Sequence, residues 1–147
     1  MRLHHYLLLA FSITVTGCSS SGSVSQTTKA TNLVQKIDTT KVDAVKIGTL
    51  HESFLTSRDK SQHNETVVQV TGDVVAFALT EDNLYTVTLQ DGDSNAICVF
   101  DNSISGDVGD GRKIFKGATL TVRGQCFTSG LFSSSPYSID GCHIVED

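Results

Sequence analysis

The most restrictive feature of this sequence is an alternation of apolar and polar residues with period two, broken once at a glycine. From Thr66 onward, Val68 and Val70 alternate with polar residues, and beyond Gly72 the apolar phase shifts so that Phe77 belongs to it. A glycine at such a shift lets a strand bend and contribute to two sides of a barrel. The sequence therefore predicts a long, bent first strand.

Four further segments rich in β-forming residues follow, and polar or glycine-rich turns separate them. They span residues 84–89, 96–100, 118–126 and 137–145. Ahead of the first strand, Thr49 and Glu52 have the spacing of a capping box, and an apolar face predicts a helix over 50–61. This order of elements is typical of a mainly β fold, a five-stranded OB-fold Greek-key barrel preceded by a short α-helix.

Several of these segments resemble a known family. They are Val70-Thr71-Gly72-Asp73-Val74, Tyr85-Thr86-Val87-Thr88-Leu89, Asp140-Gly141-Cys142-His143-Ile144 and the run KGATLTVRGQC over 116–126. Together they resemble the tRNA_anti-like family, whose members are small OB-fold domains often found in bacterial lipoproteins. The resemblance covers roughly residues 50–147 and implies an OB-fold lipoprotein, but the family's name does not confer tRNA binding.

The N-terminus has the pattern of a lipoprotein signal peptide. Its apolar run over 6–15 is about half the ~20 residues that a membrane-spanning helix requires. The run ends in Val15-Thr16-Gly17-Cys18, which resembles the bacterial lipobox, where small residues precede the cysteine that receives the diacylglyceryl group. An ordinary secretory signal with a chance cysteine is the alternative. We expect acylation of Cys18 and a lipid anchor in the membrane.

The domain layout follows from this processing. We predict a signal peptide at 1–17, an acylated cysteine and flexible Ser/Thr-rich tether at 18–40, and a helix plus OB-fold domain at 41–147. Ser19 after the cysteine favours the outer membrane facing the periplasm, if the host is Gram-negative.

Three cysteines remain in an oxidising compartment once Cys18 carries lipid. A hairpin that turns at 133–135 would place Cys126 directly opposite Cys142, which favours a disulfide between them and leaves Cys98 reduced. A bridge between Cys98 and Cys142 is the alternative, because the third and fifth strands of an OB barrel are neighbours.

The charge balance weighs against nucleic acid. Residues 66–147 carry four basic and eleven acidic side chains, a balance of −7, which suits phosphate backbones poorly. The possible ligand face consists of Tyr85 and Phe100, which could stack a base, and the cation Arg123. Charge and envelope location together lead to the expectation that no nucleic acid is a partner.

Known catalytic and metal-binding motifs do not occur in the sequence, so we expect neither an enzyme nor a cofactor or metal site. Asp91-x-Asp93-x-Asn95 begins like a calcium loop, but Ala96 and Asn102 stand where such a loop needs Gly and Glu. One hypothesis is an envelope-anchored binding or adaptor module that contacts a protein or glycan. The alternative is a periplasmic enzyme inhibitor or accessory subunit that uses the tip Gly130-Leu131-Phe132, and single-stranded nucleic-acid binding ranks behind both hypotheses.

Acylation of Cys18 is directly testable. Incorporation of a clickable palmitate analogue should be abolished in Cys18→Ser, and that variant should become soluble or stay unprocessed, because the thiol that accepts the diacylglyceryl group is gone. The matched variant Cys98→Ser should keep the label. Labelling that survives Cys18→Ser would contradict a lipid anchor at this position.

Overall fold

The computed structural model describes residues 21–131 and 133–146, so Cys18 and the predicted signal peptide lie outside the described residues. The helices are α1 (Ser21–Lys36) and α2 (Ile47–Ser57), and the strands are β1 (Asp43–Ala44), β2 (Val67–Leu79), β3 (Tyr85–Asp91), β4 (Ser94–Phe100), β5 (Thr119–Thr128) and β6 (Tyr137–Ile144). Short 3₁₀ turns occur at Thr39–Lys41, Arg58–Lys60 and Asn102–Gly106. None of the helices in the described range is long and apolar enough to cross a membrane.

The strands form a closed barrel because β2 is shared between two partners. Its first half, up to Asp73, pairs antiparallel with β5, and its second half pairs antiparallel with β3. The sheet order β2-β3-β4-β6-β5 returns to β2, so the predicted five-stranded barrel of OB type is confirmed. The change of partner coincides with a register shift between Val74 and Ala76.

Helix α2 closes one end of the barrel with apolar side chains. Ile47, Leu50 and Phe54 are fully buried, and the Phe54 ring stacks on Tyr137 with centroids 5.0 Å apart. The helix begins three residues earlier than predicted, and Lys46 is its N-cap without a side-chain capping bond. The predicted capping box is therefore wrong, because the extra residues bury Ile47 in the core.

The connection between β4 and β5 lacks an α-helix. A 3₁₀ turn, Asn102–Gly106, begins at Asp101, whose carboxylate accepts a hydrogen bond from the Ser103 amide at 2.9 Å. Ile104 and Ile114 from this connection are buried in the core. The glycine- and aspartate-rich segment therefore still contributes apolar side chains to the barrel.

Helix α1 corrects the predicted domain layout. A flexible tether was expected over 18–40, but residues 21–36 are helical and lie against β6 and β5. The buried positions follow the i, i+3, i+4, i+7 spacing of a helix face. They are Thr27, Ala30, Thr31 and Val34. The folded domain therefore begins at least twenty residues before the predicted boundary.

Gly141 allows α1 to approach the barrel closely. Its φ of 63° lies in the left-handed region that favours glycine. A Cβ at this position would also lie 2.2 Å from the Thr31 amide nitrogen and 2.4 Å from the Ala30 carbonyl carbon. The contact between α1 and β6 thus requires a residue with no side chain at 141.

The substitution Gly141→Ala should displace α1 from the barrel. The added methyl clashes with the α1 backbone and strains a left-handed residue, which costs of the order of 1–3 kcal/mol. Hydrogen–deuterium exchange should show lost amide protection over residues 26–36, with a lower melting temperature.

The matched control is Gly106→Ala, because a Cβ there meets no atom within 4 Å. Unchanged protection of α1 in Gly141→Ala would show that the close approach does not hold the helix in place.

Candidate functional site

The outward side chains of β3 and β4 form a surface without charge. Successive side chains of a strand point to opposite faces, and the inward ones here belong to the core. The outward ones define the β3–β4 outer face: Thr86, Thr88, Gln90, Asn95, Ile97 and Val99. All six are partly or fully exposed. Hydroxyl, amide and aliphatic groups therefore lie side by side on this surface.

A groove lies at the edge of this face, where the β2–β3 turn approaches α1. Its volume is about 340 Å³. Its lining defines the edge groove: Gln26, Thr27, Thr80, Asp82, Leu84, Thr86, Val99, Ser138 and Asp140. The turn is tight, since the Thr80 amide donates to the Leu84 carbonyl at 2.8 Å and the Leu84 amide donates to the Thr80 hydroxyl at 3.1 Å. These bonds fix the turn that forms one wall of the groove.

Asp140 is the buried polar group of the edge groove. Asp140 is only 5% exposed, and Gln26 Nε2 donates a hydrogen bond to Asp140 Oδ2 at 2.5 Å. The other oxygen, Oδ1, is buried with no hydrogen-bond partner in the described part of the chain. Burial raises the pKa of Asp140, and the Gln26 hydrogen bond and the neighbouring Ser138 hydroxyl together offset only part of that shift. Oδ1 is thus a buried acceptor oxygen on a residue that lines the groove.

The structure does not bring the three residues of the predicted ligand face together. Phe100 is fully buried, and Tyr85, its register partner across the β3–β4 ladder, packs against the core. Arg123 lies on β5, where its Nη2 donates to Gln69 Oε1 at 3.1 Å. Base stacking on Tyr85 and Phe100 would therefore require the core to open.

The register of β5 and β6 corrects the expected placement of the cysteines. Cys126 lies opposite Ile139 rather than Cys142, because the ladder pairs Thr128 with Tyr137, three positions away from the register that a turn centred on residue 134 would give. Cys98, Cys126 and Cys142 are all buried free thiols, so the Cys126–Cys142 disulfide is not formed in the structure. Cys142 Sγ donates to the Ile139 carbonyl at 3.0 Å, and burial raises the pKa of both Cys126 and Cys142.

Metal ligands are not clustered in the part of the chain that the structure describes. Within residues 21–131 and 133–146, no group of three or more His, Cys, Asp or Glu side chains is placed to hold a metal ion. The edge groove itself contains two carboxylates, from Asp82 and Asp140. The described chemistry of the groove is therefore that of hydrogen-bond acceptors and hydroxyls.

Comparison with known proteins identifies the fold. No family model matches the chain, and no curated protein matches it in sequence. A "putative nucleic acid-binding lipoprotein" from Klebsiella pneumoniae has a similar structure, with a TM-score of 0.55 and 19% identity over 70% of this chain and 92% of that one. An aspartyl-tRNA synthetase from Leishmania major gives a TM-score of 0.52 at 11% identity over 76% of this chain but only 22% of the synthetase.

These similarities show that the chain has an OB-fold, and they contradict the expectation that no nucleic acid is a partner. The similar lipoprotein is matched over nearly its whole length, and its name assigns it to nucleic-acid binding. The expectation rested on the net charge of residues 66–147 together with the expected envelope location. That balance does not describe the β3–β4 outer face, which carries no charged side chain.

The three buried thiols should be unreactive in the folded protein. The thiolate is the reactive form, and a raised pKa keeps Cys126 and Cys142 protonated near neutral pH. The full chain with Cys18→Ser should react slowly with Ellman's reagent when native and release three equivalents after denaturation without reductant. A single equivalent after denaturation, rising to three with reductant, would demonstrate a disulfide.

Proposed function

We propose that this chain is a lipid-anchored OB-fold module that binds single-stranded nucleic acid on the β3–β4 outer face. The observation that carries the proposal is that this face stays open and uncharged on an otherwise acidic domain. Strands 2 and 3 of an OB-fold, which are β3 and β4 here, bind oligonucleotides or oligosaccharides in other members of the fold. The loops that flank this face are residues 80–84 and 129–136.

The similar lipoprotein from Klebsiella pneumoniae supports this proposal. The present chain covers 92% of it, so the likeness extends beyond the barrel strands alone. A lipobox-like N-terminus and an OB-fold occur together in the present sequence as well. The name of that protein joins a lipoprotein to nucleic-acid binding.

The charge distribution determines how such binding would work. Proteins that bind the phosphate backbone displace counterions from the nucleic acid, so their affinity falls steeply as the salt concentration rises. The β3–β4 outer face has no cation for phosphates, but its threonine hydroxyls, amides and aliphatic groups suit the edges and faces of bases. We therefore expect modest affinity with a shallow dependence on salt.

The anchor is part of the proposal. Acylation at Cys18 would hold the module at the envelope membrane, facing the periplasm from the outer membrane if the host is Gram-negative. More than one acyl chain makes such anchoring stable, because each buried CH₂ contributes about 0.8 kcal/mol. The ligand would then be single-stranded nucleic acid that reaches the cell envelope.

Protein contact through the loop of residues 129–136 is a second candidate function. Leu131 in this loop is 77% exposed, more than any other large apolar side chain among the described residues. Its neighbour Phe132 lies outside the described residues. This loop would serve an adaptor that contacts a protein or glycan, or an inhibitor or accessory subunit that enters a partner's cleft.

A charge placed on the β3–β4 outer face should weaken oligonucleotide binding. Thr88→Glu should lower the affinity for a labelled single strand of roughly 10 nucleotides, within the site size of one OB-fold, by about tenfold. Fluorescence anisotropy of the detergent-solubilised full chain measures this effect. Between about 50 and 200 mM salt, the affinity of the unmodified chain should fall only a few-fold.

The matched control is Thr71→Glu. Thr71 is an exposed β2 residue whose hydroxyl bonds that of Thr121 on β5, and it does not belong to the β3–β4 outer face. Equal weakening by both substitutions, or no binding at either salt concentration, would contradict the proposed interface.

A further inference from the structure

We propose that the edge groove is a base-selective subsite, in which Asp140 Oδ1 accepts a hydrogen bond from the exocyclic amino group of a nucleobase. The inference rests on the proposed function and adds to it a ligand group and a selectivity. Cytosine, adenine and guanine carry an exocyclic amino group, whereas thymine and uracil do not. A carboxylate that accepts from the N4 amino group of cytosine is an established pairing.

The first support is the unmatched carboxylate oxygen. Asp140 is 5% exposed, and its Oδ2 is already bonded to Gln26 at 2.5 Å. Oδ1 is buried and has no partner among the described residues, although buried polar atoms are normally hydrogen-bonded. The residue lines a cavity of about 340 Å³, at the small end of ligand-binding pockets.

The second support is the chemistry around Asp140. Leu84 and Val99 line the groove with aliphatic groups that can contact the faces of a base ring. Thr80, Thr86 and Ser138 add hydroxyls that can donate to or accept from its edge. The groove therefore offers both the apolar and the hydrogen-bonding surface that a flat heterocycle requires.

Charge decides which part of a nucleotide enters the groove. Asp82 and Asp140 both line it, and no Lys or Arg is among its lining residues. Two carboxylates repel a phosphate but favour an amino group, whose hydrogens carry partial positive charge. A base therefore fits this groove and the backbone does not.

The position of the groove links it to the proposed interface. Thr86 and Val99 belong both to the edge groove and to the β3–β4 outer face. A strand lying across β3 and β4 can turn one base into the groove while its neighbours stay on the open face. Selectivity would then act at a single nucleotide position.

The experiment compares two pyrimidine oligomers of equal length, oligo(dC) and oligo(dT), with the detergent-solubilised full chain. We expect oligo(dC) to bind at least about fivefold more tightly, within the discrimination of one good base contact. Asp140→Asn should abolish this preference by weakening oligo(dC) binding, and it should not weaken oligo(dT) binding, because thymine lacks the amino group from which Asp140 would accept. If the amide oxygen keeps the Gln26 bond, the new amide N–H₂ faces the amino group of the base.

Two features of the design separate a local effect from a general one. Asp73→Asn removes the same charge from an exposed β2 residue that accepts a hydrogen bond from Thr119 at 2.6 Å, and it should preserve the preference for oligo(dC). Asp140→Asn should not lower the melting temperature at neutral pH, because burial disfavours the ionised carboxylate that it replaces.

The outcomes distinguish the subsite from the proposed function. If neither oligomer binds, the proposed function fails and the subsite fails with it. If both bind equally to the unmodified chain, or if Asp140→Asn keeps the preference, only the subsite is overturned. If a short lysine-rich peptide binds in an Asp140-dependent manner and oligo(dC) shows no preference, the groove belongs to a cationic protein segment instead.

Discussion

The fold depends on one strand that hydrogen-bonds with two different partners along its length. Asp73 is the position where β2 changes from β5 to β3, and it pairs with Thr119 on one side and Gln90 on the other. Gly72 makes the bend possible, since a Cβ there would lie 2.8 Å from the Gln90 carbonyl oxygen and 2.9 Å from Ile47. This bend determines three features of the fold: the closure of the barrel, the packing position of α2 and the direction that the outer face of β3 takes.

The alternation of side chains made the barrel predictable, whereas contacts between elements were not predictable. Each predicted strand is present. The alternation that places Val87 in the core also places Tyr85 inward, so the sequence itself contained a signal against base stacking on Tyr85. Helix α1 was missed because Thr27 and Thr31 occupy half of its buried face. The partner of Cys126 was missed because the register of β5 and β6 is set by the geometry of the connecting loop, which composition does not encode.

The candidate site shows why a net charge is a weak guide to a ligand. The balance of −7 over residues 66–147 is a property of the whole domain, whereas recognition depends on the few side chains at one surface. Asp140 was not predicted as a site residue, because its burial depends on α1, which supplies Gln26 as its hydrogen-bond partner. Without that helix, an aspartate in the last strand would be an ordinary exposed carboxylate.

The early start of α1 limits how far this domain can reach. Only Ser19 and Ser20 separate Cys18 from Ser21, so the chain between Cys18 and Ser21 spans at most about 11 Å when it is fully extended. A flexible tether of about twenty residues would have a root-mean-square end-to-end distance of roughly 25 Å. With an acylated Cys18, the first residue of α1 would instead lie within about 11 Å of the anchor, and Gln26, which lines the edge groove, lies in the second turn of α1. Such a module would bind only ligands that come close to the membrane surface, rather than ligands in the volume beyond it.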